Sequence, residues 1–398
     1  MKKNGRILLL AFLTLLSCAV SFAQTDSLAT RPDSLKPYHV AVFSPLYLDS
    51  AFDAAGQYRY AKSFPKYISP GLEFWEGAQL AIDSMRKEGI ELEVHVYDTR
   101  STSRTMMSLV QSEEIKQMDL LIGHVNVNEA NLLTQVAARQ NIPFINANLP
   151  NEAGATNNPY YVILNSTLKT QCAGIYRFLQ KNFSLSNITV FRKKGATEDM
   201  LRGFFTEIEK ATSGVPLKLK YVTLENNFTA ADLAKSLDSN ITNVSLVASL
   251  DGLFGQQICQ QLSSLSNSYT STVIGMPTWD QIDFDKPAFK GIEIYYSTPF
   301  YVNPSDKLVV ALQDYFKNNY YSRPSDMVFR GYETLYHFGH LLALHGKNIS
   351  SSLGEKKYKL FSEFDIQPML NKSMTLDYFE NRKLYFVKKI DGVVKAVY

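Results

Sequence analysis

Between Gly71 and Ser101 the chain changes hydrophobic period once, and that change restricts the fold more than any other feature. Leu72, Trp75, Ala78, Ile82 and Met85 recur at three- and four-residue spacing, which lays one apolar stripe along a helix. Lys87-Glu88-Gly89 ends it, with a glycine where a left-handed cap costs least. From Ile90 the period falls to two, with Ile90, Leu92, Val94 and Val96 alternating against Glu91, Glu93 and His95, the pattern of a strand. The run HVAVFSPL, His39 to Leu46, supplies a strand ahead of the helix. Strand, helix and strand in that order require a parallel pair and a right-handed crossover, so the chain is α/β.

The theme repeats. Thr102 to Gln117 reads as a helix with Met106, Leu109 and Val110 inward, and DLLIG (Asp119 to Gly123) as a buried strand. Asn128 caps a helix carrying Ala130, Leu133, Val136 and Ala137, and IPFIN (Ile142 to Asn146) is the next strand. Four parallel strands and three helices make a doubly wound, Rossmann-like sheet. At YYVILNST, Tyr160 to Thr167, the alternation breaks into an extended segment before a helix from Leu168 to Asn182. A second series then starts: strands NITVF, LKLKYVTL, VSLVASL and STVIG, separated by helices over Glu198 to Lys210, Ala230 to Leu237 and Gln256 to Leu265. The remainder of the chain is too short to bury a core of its own. It comprises the extended run GIEIYYSTPFYV, helices over Asp306 to Asn318 and Met327 to His345, and terminal antiparallel strands with turns at Glu380-Asn381 and Asp391-Gly392. These pieces must complete the two lobes. The expected division is lobe 1 over 38–165 completed by about 298–350, and lobe 2 over 166–297 completed by about 351–398, with three crossover segments near Ser166, Ser297 and Ser350.

The first residues stand apart. Lys2, Lys3 and Arg6 precede an apolar run from Ile7 to Leu16, and Ser21-Phe22-Ala23 carries small residues where a signal peptidase reads. Residues 1–23 read as a secretory signal peptide cleaved before Gln24, followed by a flexible leader over 24–37 and release to the periplasm. Leu15-Leu16-Ser17-Cys18 offers the alternative of a lipoprotein anchored at Cys18. Cleavage removes three of the 41 basic residues and none of the 38 acidic ones, which leaves the two in balance and gives no support to a nucleic-acid partner. Cys172 and Cys259, each inside a helix, could pair in an oxidising compartment, but small buried thiols are the preferred reading.

GLEFWEGAQLAIDSM with the strand ending at Asp98, then DLLIGH, IPFINAN, NITVF with EDMLRGF, GYETLYHFGHLLAL and the closing DGVVKAVY succeed one another in a characteristic order. In that order the chain resembles a type I periplasmic binding protein of the branched-chain amino acid receptor group, from about Tyr38 to Tyr398. The resemblance implies two lobes with a small polar ligand held between them by hinge closure, at the carboxyl ends of both sheets. It further implies a monomer that hands its ligand to an ABC transporter permease or an envelope receptor. In those receptors, loops after the third and fourth strands hold the ligand's carboxylate; here they offer His124 and Asn126, and Asn148. The aromatic and the acid of the second lobe fall at Met200 and Gln256, both departures, and Asp251 is the nearest replacement acid.

His124 suits a neutral donor to a ligand oxygen as well as it suits a loop contact. Arg100, and Arg192-Lys193-Lys194, sit after strands at carboxyl ends and could meet an anion or form a solvated rim. Trp279, in GMPTWDQ, could stack on a ligand or pack in the core. His337, His340 and His345 share an apolar helix without a third ligand at a suitable position, so no metal is expected. With no GxSxG, HExxH or GxxxxGK[ST], catalysis and a cofactor have no support either. The connection from Pro45 to Pro70, carrying Tyr47, Phe52, Tyr58, Tyr60, Phe64 and Tyr67, should overhang the cleft as a lid or partner surface. The sequence therefore points to a solute-binding protein, and alternatively to an envelope protein that keeps the fold as an interaction module.

Overall fold

The computed structural model describes residues 37–61, 63–391 and 393–397, so the expected signal peptide, the expected leader up to Lys36 and Cys18 lie outside the described residues. The expected opening unit is present. β1 (Tyr38–Ser44) lies parallel to β2 (Leu92–Asp98), and α1 (Ser69–Lys87) is the crossover between them. Gly89 takes φ 80°, the left-handed cap read from the sequence. Along β1, Val40 and Val42 enter the core under one face of the sheet and Ala41 and Phe43 the core under the other, as a strand covered on both sides must.

Lobe 1 continues with β3 (Leu120–Gly123), α2 (Val127–Gln140), β4 (Phe144–Asn146) and β5 (Tyr161–Ile163), all strands parallel. The chain then passes through α3 (Leu168–Phe183), β6 (Asn187–Arg192), α4 (Ala196–Ala211), β7 (Lys218–Thr223), β8 (Asn243–Val247), α5 (Gly252–Ser264), β9 (Ser271–Ile274) and β10 (Glu293–Thr298). It returns through α6 (Lys307–Tyr320) and α7 (Asp326–His345), and ends in β11 (Ile366–Leu370), β12 (Leu376–Asn381), β13 (Tyr385–Ile390) and β14 (Val393–Val397). The result is two seven-stranded sheets, ordered β11-β12-β5-β4-β3-β1-β2 and β14-β13-β10-β9-β8-β6-β7.

Several expectations are corrected. The third crossing is not near Ser350 but at 382–384, between β12 of the first sheet and β13 of the second. Lobe 1 is therefore completed by roughly 299–381, and lobe 2 keeps only the last hairpin. Glu380-Asn381 makes no hairpin turn; the turn lies at Asn371, whose side-chain oxygen accepts from the N–H groups of Ser373 and Thr375. The helix expected over Thr102 to Gln117 is two short pieces, Met106–Val110 and Glu113–Lys116. Ser112 breaks it by turning its hydroxyl back onto the Leu109 carbonyl. The cap of α2 is Asn126, closing a capping box with Glu129, and not Asn128. Cys172 and Cys259 are unpaired and lie in the cores on opposite faces of the second sheet.

One contact sets the site's geometry. α1 and α7 touch backbone to backbone: a Cβ on Gly77 would stand 2.0 Å from the Val328 carbonyl oxygen, and one on Gly331 would stand 1.9 Å from that of Phe74. This reciprocal pair seats the first turns of α7 at the carboxyl end of the first sheet.

Candidate functional site

The carboxyl end of lobe 1 is built around Asp98, the last residue of β2. Its carboxylate accepts from the backbone N–H groups of Leu46, Tyr47 and Leu48 at 2.8–3.1 Å, and from that of Arg100 at 2.9 Å. The long loop after β1 is thereby pinned at its root, with Tyr47 turned toward Arg100, whose guanidinium carbon is 5.8 Å from the Tyr47 ring centre. Arg100 also pairs with buried Glu129 at 2.9 Å. His124 comes directly after β3 and rests against Phe74. Its Nδ1 is buried and has no hydrogen-bond partner among the described residues. Burial, and after it the cations of Arg330 and Arg100, lower its pKa to about 4 despite a hydrogen bond to the Pro70 backbone. His124 is neutral at pH 7.

Other residues expected here are committed elsewhere. Asn126 caps α2. Asn148 accepts from the Val125 N–H and donates to the Val125 carbonyl, which ties the two loops together and occupies its amide. Asp251 caps α5 through the N–H groups of Leu253 and Phe254 and pairs with Lys193 at 2.6 Å. Arg192 and Lys194 are likewise paired, with Asp199 and Glu225. Trp279 is fully buried between Gly255, Gly275 and Phe284, because both glycines leave room for the indole; stacking on a cleft ligand is excluded in this arrangement. His337, His340 and His345 go to three separate partners, the Tyr358 carbonyl, Glu88 and Glu355.

The structure adds three residues that the sequence pattern did not single out. Arg330, one turn into α7, lies with its guanidinium 3.8 Å from the Phe300 ring centre, and its buried Nε has no partner among the described residues. Glu333, one turn further on, is buried and accepts from the Ser362 N–H at 2.8 Å; burial pushes its carboxyl up to about 7. Asp280 comes after Trp279 in lobe 2. Its side chain is exposed, yet the protein mass around it still desolvates the carboxyl enough to raise it to about 6 against the pull of Arg330. With Tyr296, Tyr301 and Phe329 these groups line a cavity of about 260 Å³ on the lobe boundary. A larger open hollow of about 560 Å³ sits at the amino ends of β8, β9 and β10, the wrong end for ligand binding in open α/β sheets. The missed signal was an Arg and a Glu three residues apart within the apolar stripe of FRGYETLYHFGH.

No protein-family model and no curated protein matches the sequence. Solved structures do. A Rhodospirillum rubrum protein assigned to branched-chain amino acid ABC transport superposes with a TM-score of 0.65 at 12% identity, over 91% of this chain and all of the other (100%). The periplasmic ligand-binding protein of a branched-chain amino acid ABC transporter from Burkholderia xenovorans gives 0.61 at 14%, over 91% and 94%. An ABC transporter substrate-binding protein from Desulfitobacterium hafniense, in complex with Leu, gives 0.56 at 13%, over 91% and 100%. The fold is that of a type I periplasmic binding protein. At these identities the likeness is one of fold, and in this chain charged side chains at the lobe-boundary cavity include Arg330, Asp280 and Asp326.

Proposed function

We propose that the chain is a solute-binding protein that captures a small carboxylate-bearing ligand, amino-acid-like in size, between its lobes. The observation that carries this reading is the placing of an incompletely bonded Arg330 of lobe 1 and Asp280 of lobe 2 on the walls of one cavity, with Arg330 close enough to neutral His124 to lower its pKa. A guanidinium whose Nε lacks a partner suits a carboxylate, an Asp at the lobe boundary suits an ammonium, and neutral His124, its one N–H given to the Pro70 carbonyl, keeps Nδ1 as an uncharged acceptor. The Leu complex of the Desulfitobacterium hafniense neighbour supports a ligand of this class. The second-lobe acid is Asp280 in this proposal, because Asp251 is engaged. Arg100, half satisfied by Glu129, lines the lobe 1 rim, while Asn126 and Asn148 shape the loops that present His124. Delivery to an ABC transporter permease, a periplasmic location after cleavage before Gln24 and the absence of catalysis belong to the same proposal.

A thermal-shift screen with amino acids, small peptides, sugars and carboxylates tests it. A ligand at a hundred times its Kd adds about 2.7 kcal/mol of stability, a shift easily read. The expected hit is a carboxylate, and Arg330→Gln should weaken it by about 1.5–3 kcal/mol, the worth of a charged hydrogen bond. A flat response would favour the interaction module, for which the exposed Phe52, Phe64 and Tyr67 of the 45–70 loop speak. Intact mass of the exported chain separates an N-terminus at Gln24 from a lipid-modified Cys18.

A further inference from the structure

His39 and His95 stand on neighbouring strands, 56 residues apart in sequence, and share one face of the first sheet with Glu93. The register places His39 opposite Glu93, and Glu93 and His95 two residues apart, so the pleat turns all three side chains the same way. Their donor atoms converge: His39 Nδ1 to His95 Nε2 is 3.3 Å, His95 Nε2 to Glu93 Oε1 3.1 Å, and His39 Nδ1 to Glu93 Oε2 3.6 Å. Around a tetrahedral ion with bonds of about 2.0–2.1 Å, neighbouring donors stand about 3.3 Å apart. The measured contacts lie near that value but use both carboxylate oxygens, Oε1 toward His95 and Oε2 toward His39; with one donor atom taken from each residue the three lie within 4.8 Å of one another, close enough for a small carboxylate rotation to bring them onto one face of such a coordination shell. Two imidazole nitrogens this close, with a carboxylate beside both, are poorly served by hydrogen bonding alone. One proton can sit between the rings, and the carboxylate then competes for it. A cation at the centre serves all three donors at once.

We propose that His39, Glu93 and His95 form a binding site for a divalent transition-metal ion of the zinc class, with three protein donors and water in the fourth position. The donor set of two imidazoles and one carboxylate suits zinc, copper and nickel rather than calcium or magnesium. The side chains are 29%, 49% and 28% exposed in the order His39, Glu93, His95, so an ion reaches them from solvent without opening the fold. Strand backbones hold them, and Asp119 fixes the start of β1 by accepting from the His39 N–H at 2.9 Å. The site is near the amino end of β1, about 15 Å from its cleft end at strand spacing, and is therefore independent of the ligand cavity.

The test uses the tag-free mature chain, treated with chelator and titrated calorimetrically with Zn²⁺, with Co²⁺ as a spectroscopic substitute. One equivalent should bind, and Co²⁺ should give the intense visible absorption of a four-coordinate site. His39→Gln and His95→Gln should each weaken binding by at least the ~10–100-fold that loss of even an outer partner costs such sites, and Glu93→Gln should do so less strongly. His345→Gln, on a different histidine–carboxylate pair, should change nothing. Failure of the wild-type chain to take up either ion at micromolar concentration overturns the proposal, because it leaves the trio a hydrogen-bonded cluster only. So does retention of wild-type affinity in both histidine variants. The Co²⁺ spectrum of the wild-type chain decides the matter even if a variant folds poorly.

Discussion

Glu333 and His124 show how single buried groups set the pH response. Glu333 holds its proton in the fold up to about 7, against an ordinary 4.5, so the folded state binds more protons between those values and stability falls as pH rises through them. His124 works in the opposite sense: at about 4 in the fold against 6.5, it loses stability as pH drops from 6.5 through 4. Glu333→Gln isolates the first effect. Its melting temperature relative to wild type should climb from pH 4.5 to about 7 and level off above that, since only the wild type has to ionise a buried carboxyl. A difference that stays flat or declines would mean the carboxylate is already stabilised by Arg330. Of these groups only His124 was singled out in the sequence. Arg330 and Glu333 look like ordinary helix residues until the α1–α7 contact shows that their face is inside, and Asp280 lies on a loop whose direction is set by the burial of Trp279.

At the scale of elements, two contacts govern where the site sits. Gly331 lets α7 approach α1 closely enough that no side chain fits between them. Gly331→Ala should cost roughly 2–3 kcal/mol by overpacking, read by urea unfolding, and should weaken ligand binding through displacement of Arg330; a neutral result would mean the helices can part without consequence. The second contact ties the crossings. Buried Asn381 donates to the Leu164 carbonyl and accepts from the N–H groups of Asp365 and Lys383, while its own carbonyl accepts from the Ser166 hydroxyl. Asn381→Ala orphans buried backbone groups and should cost roughly 2–4 kcal/mol; a loss below about 1 kcal/mol would show the bundle is not tied there. Long periodic elements were legible from spacing alone, because burial of one stripe or one strand face leaves a pattern in the residues. The third crossing was not. β12 and β13 are both short antiparallel partners with similar alternation, and only pairing of β12 with β5 tells them apart.

For the whole molecule, the two sheets with their three crossings explain why an organisation read from order of elements survives at 11–15% identity to its structural neighbours. Layers and crossover handedness depend on hydrophobic period, which tolerates near-complete replacement of side chains. Ligand contacts depend on individual atoms and do not. A small ligand that bridges the lobes can shift them only through contacts made better in the closed state. Leu185 in lobe 2 and Tyr321 in lobe 1 are each 93% exposed, and both native cysteines of the described chain are buried, so Leu185→Cys and Tyr321→Cys accept spin labels selectively. The lobe-to-lobe distance distribution, measured by pulsed dipolar spectroscopy with and without the carboxylate ligand from the screen, should move to a single narrow peak on binding and should fail to do so in Arg330→Gln. A ligand that binds while the distribution stays unchanged would contradict a site between the lobes.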